Sequence, residues 1–246
     1  LVSSMIVRMW RGIEIGRLAR TCGFDALYVD LEHGVLSADT ASQICVAAQD
    51  AGVTPLVRVS KLSSDVIAQA LDGGAMAVVV PHVNSAEQAR RAVEWVTFTP
   101  PGTRSMSSHP PQLGYRSMPQ ADAMAALDAE TLVAVMIESR EGLDNVESIA
   151  AVPGIDLLIV GCGDLSAALG IPGELASTVM DAAVRRVLKS CVACGKAAGL
   201  GGLAGAPHLQ RRYVTAGARF VSAGSDVSFL MRSATVAAEF VAGLKE

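Results

Sequence analysis

Two carboxylates, Glu138 and Asp164, each follow a short apolar run: Leu132–Ile137 before the first, and Asp156–Val160 with Gly161-Cys162-Gly163 before the second. Hard oxygen donors with few histidines around them suit Mg2+ or Mn2+, which keep coordination positions open for water and substrate. Two carboxylates brought together without a cation repel each other. The competing reading is that each caps a helix or pairs with an arginine such as Arg140. A second group is Asp30 and His33, three residues apart just past Ala26–Leu31. At that spacing a carboxylate can orient an imidazole, fix its tautomer and raise its basicity. A helix-entry cap beside a satisfied histidine would use the same residues. Glu32, between them, is expected to point away and pair on the outside. Arg58, at the end of Thr54–Val59, offers a planar fork of donors that can clamp a carboxylate or an enolate oxygen.

Lysine usage narrows the chemistry. The four lysines are Lys61, Lys189, Lys196 and Lys245. Lys61 falls just past the third apolar run, Lys196 just before the seventh, and Lys189 and Lys245 in helical stretches. Imine-forming barrel aldolases need a lysine buried on a strand, so metal-assisted enolisation is the simpler option. Other features are weaker. His82 reads as site lining or as an inter-subunit contact, and His109 and His208 as surface residues. Gly199–Gly202 either approaches an anion closely or is a small-residue packing strand. Gly102-Thr-Arg104-Ser105 places Arg104 either near the mouth of the site or in a surface turn. Cys191-Val-Ala-Cys194 is a lone CxxC with no second pair to complete a zinc site, and is read as structural.

The elements that must position these side chains alternate along the chain. Strands are predicted over Ser4–Met9, Ala26–Leu31, Thr54–Val59, Ala75–Val80, Leu132–Ile137, Asp156–Val160, Ala197–Leu200 and Arg219–Ala223. Helices are predicted over Ser37–Asp50, Ser63–Leu71, Ala86–Val96, Gly142–Ala151, Ser177–Cys194, Pro207–Ala216 and Val227–Leu244. Eight strands alternating with helices predict a parallel sheet closed into a single-domain (β/α)8 barrel spanning residues 1–246, with a doubly wound open sheet as the alternative. Gly52, Gly74, Gly195 and Gly217 each stand where a helix should end before a strand. Ser85-Ala-Glu-Gln88 reads as a capping box. Phe98–Gln120, with five prolines and no period, is too long for an idle connection and reads as a functional loop. In such barrels chemistry sits at the C-terminal ends of the strands, where Asp30, Arg58, Glu138 and Asp164 all fall.

Bulk composition agrees. The 246 residues are 51% hydrophobic but only 4% aromatic, which suits aliphatic parallel strands buried under helices. A net charge of −4 with scattered arginines gives no basic stripe for nucleic acid. No apolar run reaches the roughly 20 residues of a membrane span, and no signal peptide is read at the N-terminus. Five cysteines, an odd count, point to a reducing, cytoplasmic setting.

Taken together, certain segments carry a resemblance. Phe24-Asp25 through Asp30-Leu-Glu-His33-Gly34, Leu56-Val-Arg58, Leu71-Asp-Gly-Gly74, Val80-Pro-His-Val83, Pro101-Gly-Thr-Arg104-Ser105, Ile137-Glu138-Ser-Arg-Glu-Gly142 and Gly161-Cys-Gly-Asp164-Leu-Ser166 resemble the metal-dependent pyruvate aldolases of the HpcH/HpaI family. Val-Pro-His-Val and Arg-Ser also look like macrophomate synthase, which acts on oxaloacetate. The resemblance implies a carbon–carbon lyase that makes or cleaves 4-hydroxy-2-oxo acids through a pyruvate enolate. It implies Glu138 and Asp164 as ligands of a divalent metal (Mg2+ or Mn2+, with Co2+ and Zn2+ as other candidates). It implies His33 as base with Asp30 as partner, and Arg58 on the pyruvyl oxygen. Gly163 and Asp164 are expected beside the substrate, and Asp72 in a neighbouring subunit's site. A hexamer, often with exchanged C-terminal helices, is implied too. The alternatives are an oxaloacetate decarboxylase, a macrophomate-synthase-like bond former, a CoA-ester lyase, and a metabolite-binding barrel without turnover. Three departures stand out: Met136 where many relatives have Gln, Cys162 where they usually have Pro, and a short N-terminal segment in which the first helix at the barrel's bottom is expected to be absent.

Overall fold

The computed structural model describes residues 1–244, and in it the apolar runs form eight parallel strands closed into one barrel, the eighth pairing with the first. The strands are β1 (Val2–Val7), β2 (Ala26–Asp30), β3 (Thr54–Arg58), β4 (Ala77–Val80), β5 (Leu132–Ile137), β6 (Leu157–Gly161), β7 (Ala197–Gly201) and β8 (Phe220–Ser225). The helices are α1 (Ile15–Thr21), α2 (Ala38–Asp50), α3 (Ser64–Asp72), α4 (Ala86–Val96), α5 (Gln120–Glu130), α6 (Arg140–Asp144), α7 (Val146–Ala150), α8 (Cys162–Ala168), α9 (Thr178–Ala193), α10 (Pro207–Thr215) and α11 (Asp226–Gly243). The (β/α)8 barrel is therefore the observed fold. Lys245 lies outside the described residues. Among those residues no helix is long and apolar enough to cross a membrane, and all five cysteines are free.

Strand side chains alternate between two faces, and here the two parities serve two cores. Ala26, Tyr28, Leu56, Ala77, Val79, Ala134, Met136, Leu157, Ile159 and Phe220 fill the barrel interior. The intervening Leu27, Val29, Val57, Val78, Val80, Val133, Val135, Ile137, Leu158 and Val160 pack outward against the helices. In-register pairing carries the inward parity across the sheet: Tyr28 opposes Leu56, Asp30 opposes Arg58, and Met136 opposes Ile159. One more inward step along β2, β3 and β5 therefore delivers Asp30, Arg58 and Glu138 to the same rim. The chain spaced them by parity, and the filled interior gives them a floor.

Helix ends follow local chemistry. Gly52, Gly74, Gly195 and Gly217 all have positive φ, as helix-terminating glycines should. The Ser85 hydroxyl accepts from the Gln88 N–H at 3.2 Å, but Gln88 Oε1 accepts from Asn84 N–H rather than closing back on Ser85.

Four expectations change. A helix not assigned from the sequence, α1, follows β1 and buries Ile15, Gly16 and Ala19. The predicted helix Gly142–Ala151 is two short helices that break at Asn145. An unassigned helix, α5, occupies Gln120–Glu130; it is alanine-rich and buries only Ala123 and Leu127, so it shows no distinct apolar face. β1 starts two residues early, where Val2 pairs with Phe220.

The Phe98–Gln120 loop follows α4, which returns from the rim, so it lies at the opposite, N-terminal end of the barrel. There Gln112 Nε2 donates to the carbonyls of Leu71 at 2.5 Å and Ala75 at 3.0 Å, tying the loop to the end of α3.

Candidate active site

Asp30 is the hub of the rim. It is fully buried. Its Oδ1 accepts from Arg58 Nε at 2.9 Å and its Oδ2 from Arg58 Nη2 at 2.5 Å, while Arg8 Nε donates to Oδ2 at 2.9 Å. Burial alone would push this carboxyl upward. The Arg58 hydrogen bonds and charge outweigh it and hold the pKa below the ordinary carboxylate value.

Asp30 does not orient the His33 ring, as the spacing suggested. Oδ1 instead accepts from the backbone N–H groups of Glu32 and His33, both at 3.1 Å. The carboxylate is occupied by two arginines and the turn's own backbone, so it has no lone pair left for the imidazole. His33 is about half exposed, and its Nε2 lies 3.7 Å from Glu32 Oε2.

Glu32 also departs from expectation, because it turns inward. Its Oε2 lies 2.8 Å from Arg58 Nη1 and its Oε1 lies 2.8 Å from His82 Nε2. The attraction is ionic. Asp30 takes Nε and Nη2 of Arg58, and Glu32 Oε2 faces the remaining side of this nearly buried guanidinium as a counter-charge without forming a hydrogen bond to it.

Glu138 sits across the mouth, at the end of β5, with its side chain 1% exposed. Its Oε1 accepts from the His82 backbone N–H at 2.8 Å, and His82 Nδ1 is 3.2 Å away. His82 reaches this position with φ of 52°, a left-handed turn directly after Pro81. Glu138 Oε2 is buried and has no hydrogen-bond partner. Burial pushes the Glu138 pKa above the ordinary value, with the His82 N–H opposing it. Gly161 on the neighbouring strand makes room: a Cβ there would lie 2.5 Å from Glu138 Oε2.

Asp164 is exposed in the first turn of α8, just past β6. Gly163 beside it faces open space. The bland pairing with Arg140 is not found. Arg140 Nη2 donates to the Leu169 carbonyl at 3.5 Å, and no ion pair joins it to either carboxylate. A buried carboxylate oxygen lacking any donor at the end of β5, with an exposed carboxylate following the neighbouring strand β6, offers the hard oxygen donors that suit a hard cation. Among the described residues no group of three or more His, Cys, Asp or Glu stands together in metal-binding arrangement, so water and substrate would have to complete the shell.

The two unusual residues lie around this set rather than in it. Met136 Sδ accepts from Tyr28 Oη at 3.5 Å and lies 3.7 Å from Arg58 Nη1, so a thioether floors the site. Cys162 is buried in the outer core, and burial pushes its thiol pKa up to about 12.

Other candidates lie elsewhere. Asp72 ends α3 at the opposite end of the barrel, 3.2 Å from Arg104 Nη2. Arg104 is neither near the mouth nor in a surface turn. It is buried and stacks over Phe98 at 4.4 Å. His109 and His208 are exposed. Gly199 is tightly packed, since a Cβ there would lie 3.1 Å from both Ile159 and Phe220. Arg8, the inward Glu32 and the His82 backbone were missed as a connected set. Arg8 carried a signal, because Ser4, Ile6 and Arg8 share the inward parity on β1; the left-handed turn at His82 carried none.

The chain as a whole is similar to known proteins. The model of the HpcH/HpaI aldolase/citrate lyase family matches residues 14–233. A 4-hydroxy-4-methyl-2-oxoglutarate aldolase of Chaetomium globosum is 39% identical over 245 residues, covering 98% of this chain and 91% of that protein. A hydroxypyruvate/pyruvate aldolase of Deinococcus radiodurans is 34% identical, covering 95% and 85%. The crystal structure of an HpcH/HpaI aldolase from Desulfitobacterium hafniense superposes with a TM-score of 0.90 at 26% identity, covering 100% of this chain and 93% of that one. The chain is a carbon–carbon lyase belonging to the HpcH/HpaI aldolase/citrate lyase family.

Proposed function

We propose that this lyase is a divalent-metal-dependent aldolase that cleaves, or in reverse forms, 4-hydroxy-2-oxo acids through a pyruvate enolate. The observation that carries this reading is the buried, unpartnered Oε2 of Glu138 at the end of β5, with the open Asp164 following the adjacent strand β6. Glu138 and Asp164 would hold Mg2+ or a similar cation. Such a cation supplies a Lewis acid that makes the 2-oxo group a better electron sink.

The chain's own residues do the rest. Arg58, locked by Asp30 and Glu32, presents fixed positive charge where the 2-oxo oxygen becomes negative, so little reorganisation is needed during the reaction. His33 takes the proton of the C4 hydroxyl as the C3–C4 bond breaks, the carbonyl product leaves, and C3 then receives a proton to give pyruvate. Glu32, not Asp30, is the carboxylate nearest its ring. Gly163 leaves space for the 2-oxo acid beside Asp164. The fungal relative's substrate, a 4-hydroxy-2-oxo diacid, is the first compound to try. Oxaloacetate decarboxylation is the second reading, since loss of CO2 leaves the same enolate.

Treatment with EDTA followed by assay on 4-hydroxy-2-oxo acids and oxaloacetate tests the proposal. Activity should vanish and return with Mg2+ or Mn2+. Undiminished cleavage by the stripped protein would overturn it.

We further propose a homo-oligomer, a hexamer by family resemblance, in which Asp72 reaches a neighbouring copy's rim. The support is α11, which leaves Leu230, Met231, Val236, Phe240 and Val241 more than half exposed, an apolar surface unusual for a monomer. Sedimentation velocity should give a mass near six chains; a single-chain mass at micromolar concentration rejects this assembly.

A further inference from the structure

Arg8 has no place in the steps above, yet it faces them. It follows β1 with the inward parity of Ser4 and Ile6, one register step beyond the Ile6–Tyr28 pair and so level with Asp30. The turn that carries it is fixed. Asp226 accepts from the backbone N–H groups of Arg8, Met9 and Trp10, at 2.7–3.2 Å. The side chain is fixed only at its inner nitrogen, where Nε donates to Asp30 Oδ2. Nη1 and Nη2 have no partner among the described residues, and the side chain is 39% exposed. Beside it opens a cavity of about 410 Å3 lined by Arg8, His33, Val35, Ser225 and Val227 among others.

The charge arithmetic singles out this guanidinium. Arg58 is answered by Asp30 and Glu32 together, and Asp30 already receives two hydrogen bonds from Arg58. Asp226 is turned to the backbone. Arg8, which lines the cavity, is left with two terminal nitrogens unpaired among the described residues, a planar fork of the kind that suits a carboxylate. In the barrel order β1 lies across the mouth from β5 and Glu138. A substrate whose 2-oxo acid head lies at Glu138, Asp164 and Arg58 would thus extend its far end toward Arg8.

We propose that Arg8 is a specificity-determining residue that binds a second, distal carboxylate, selecting 2-oxo diacids over 2-oxo acids with neutral tails. This rests on the site assignment above for the head group, but not on turnover. The test compares 2-oxoglutarate with 2-oxopentanoate, which has the same chain length and lacks the distal carboxylate. Binding to the Mg2+-loaded protein is measured by calorimetry for wild type, Arg8→Gln and Arg8→Lys. Hydrogen bonds to charged groups contribute about 1.5–3 kcal/mol, or about 10- to 150-fold. Wild type should therefore prefer 2-oxoglutarate by at least tenfold, Arg8→Gln should lose that preference, and Arg8→Lys should keep part of it. Equal wild-type binding of the two acids overturns the proposal. An equal loss of both in Arg8→Gln also overturns it, because Arg8 would then act only through Asp30. Failure of the aldolase reading looks different: the diacid preference persists in a metal-loaded protein that neither cleaves 4-hydroxy-2-oxo acids nor exchanges the methyl protons of pyruvate.

Discussion

Glu138→Gln should lower carbon–carbon cleavage by about 10³-fold or more, while leaving the barrel folded. A Lewis acid held by a carboxylate contributes several kcal/mol to stabilising developing charge, and each 1.36 kcal/mol is tenfold in rate. The amide keeps the size of Glu138 and can still accept from the His82 N–H, but it is a poor ligand for a hard cation. Stability should move the other way. Burial raises the Glu138 pKa from its ordinary value of 4.5. A carboxyl with a raised folded pKa contributes stability that is fully present below the unfolded pKa and is lost as pH rises through the folded one. In EDTA, wild type should therefore lose melting temperature relative to Glu138→Gln as pH climbs above about 4.5. Parallel melting curves from pH 4 to 8, or near-normal turnover by the variant, would count against this account of Glu138.

The second large effect is on folding. Asp30→Asn should destabilise the protein by about 3–5 kcal/mol at pH 7, the usual result of leaving a buried charge without its partner. The stranded charge is Arg58, whose side chain is only 5% exposed and which would keep Glu32 alone. For a chain of this size that loss corresponds to a melting temperature roughly 6–20 °C lower. The pH dependence has the opposite sign to that of Glu138. Asp30 has a depressed pKa, so its contribution is present above the ordinary carboxylate range and is lost as pH falls through the folded value. The gap between wild type and variant should begin to narrow below about pH 4 and close only as pH falls through the lower folded value. Urea denaturation at pH 7 and along a series descending from about pH 4 checks both. A variant within about 1 kcal/mol of wild type at pH 7 would mean that the Asp30–Arg58 pair contributes little to folding.

Much of this was legible in the sequence because parity and alternation are local properties. Short, near-continuous runs of Val, Leu, Ile and Ala between helical stretches specify buried parallel strands, and glycines at 52, 74, 195 and 217 mark the returns. That is enough to close a barrel and to place Asp30, Arg58, Glu138 and Asp164 on one rim. What the chain did not disclose is how the polar groups divide their hydrogen bonds. Asp30 and His33 are three apart, and spacing allowed a dyad; only the arrival of Arg58 from β3 and Arg8 from β1 shows that the carboxylate is already full. Glu32 turns inward for the same non-local reason. α5 escaped notice because Ala123 and Leu127 are its only buried residues. The loop after α4 was legible as irregular, but its distance from the rim followed from topology, since every helix in this fold returns the chain to the far end.

Gly161 carries a consequence for how such a barrel can change over generations. A methyl group there would stand 2.5 Å from Glu138 Oε2, with the Glu138 Cβ at 2.8 Å. Any lineage that acquires a side chain at this codon must displace Glu138, although neither the charge of the chain nor a single donor atom has altered. Drift at the end of β6 is thus confined by a residue with no functional group of its own. A library randomised across that strand end would have most of its members silenced at one position, and the survivors would report on shape rather than chemistry.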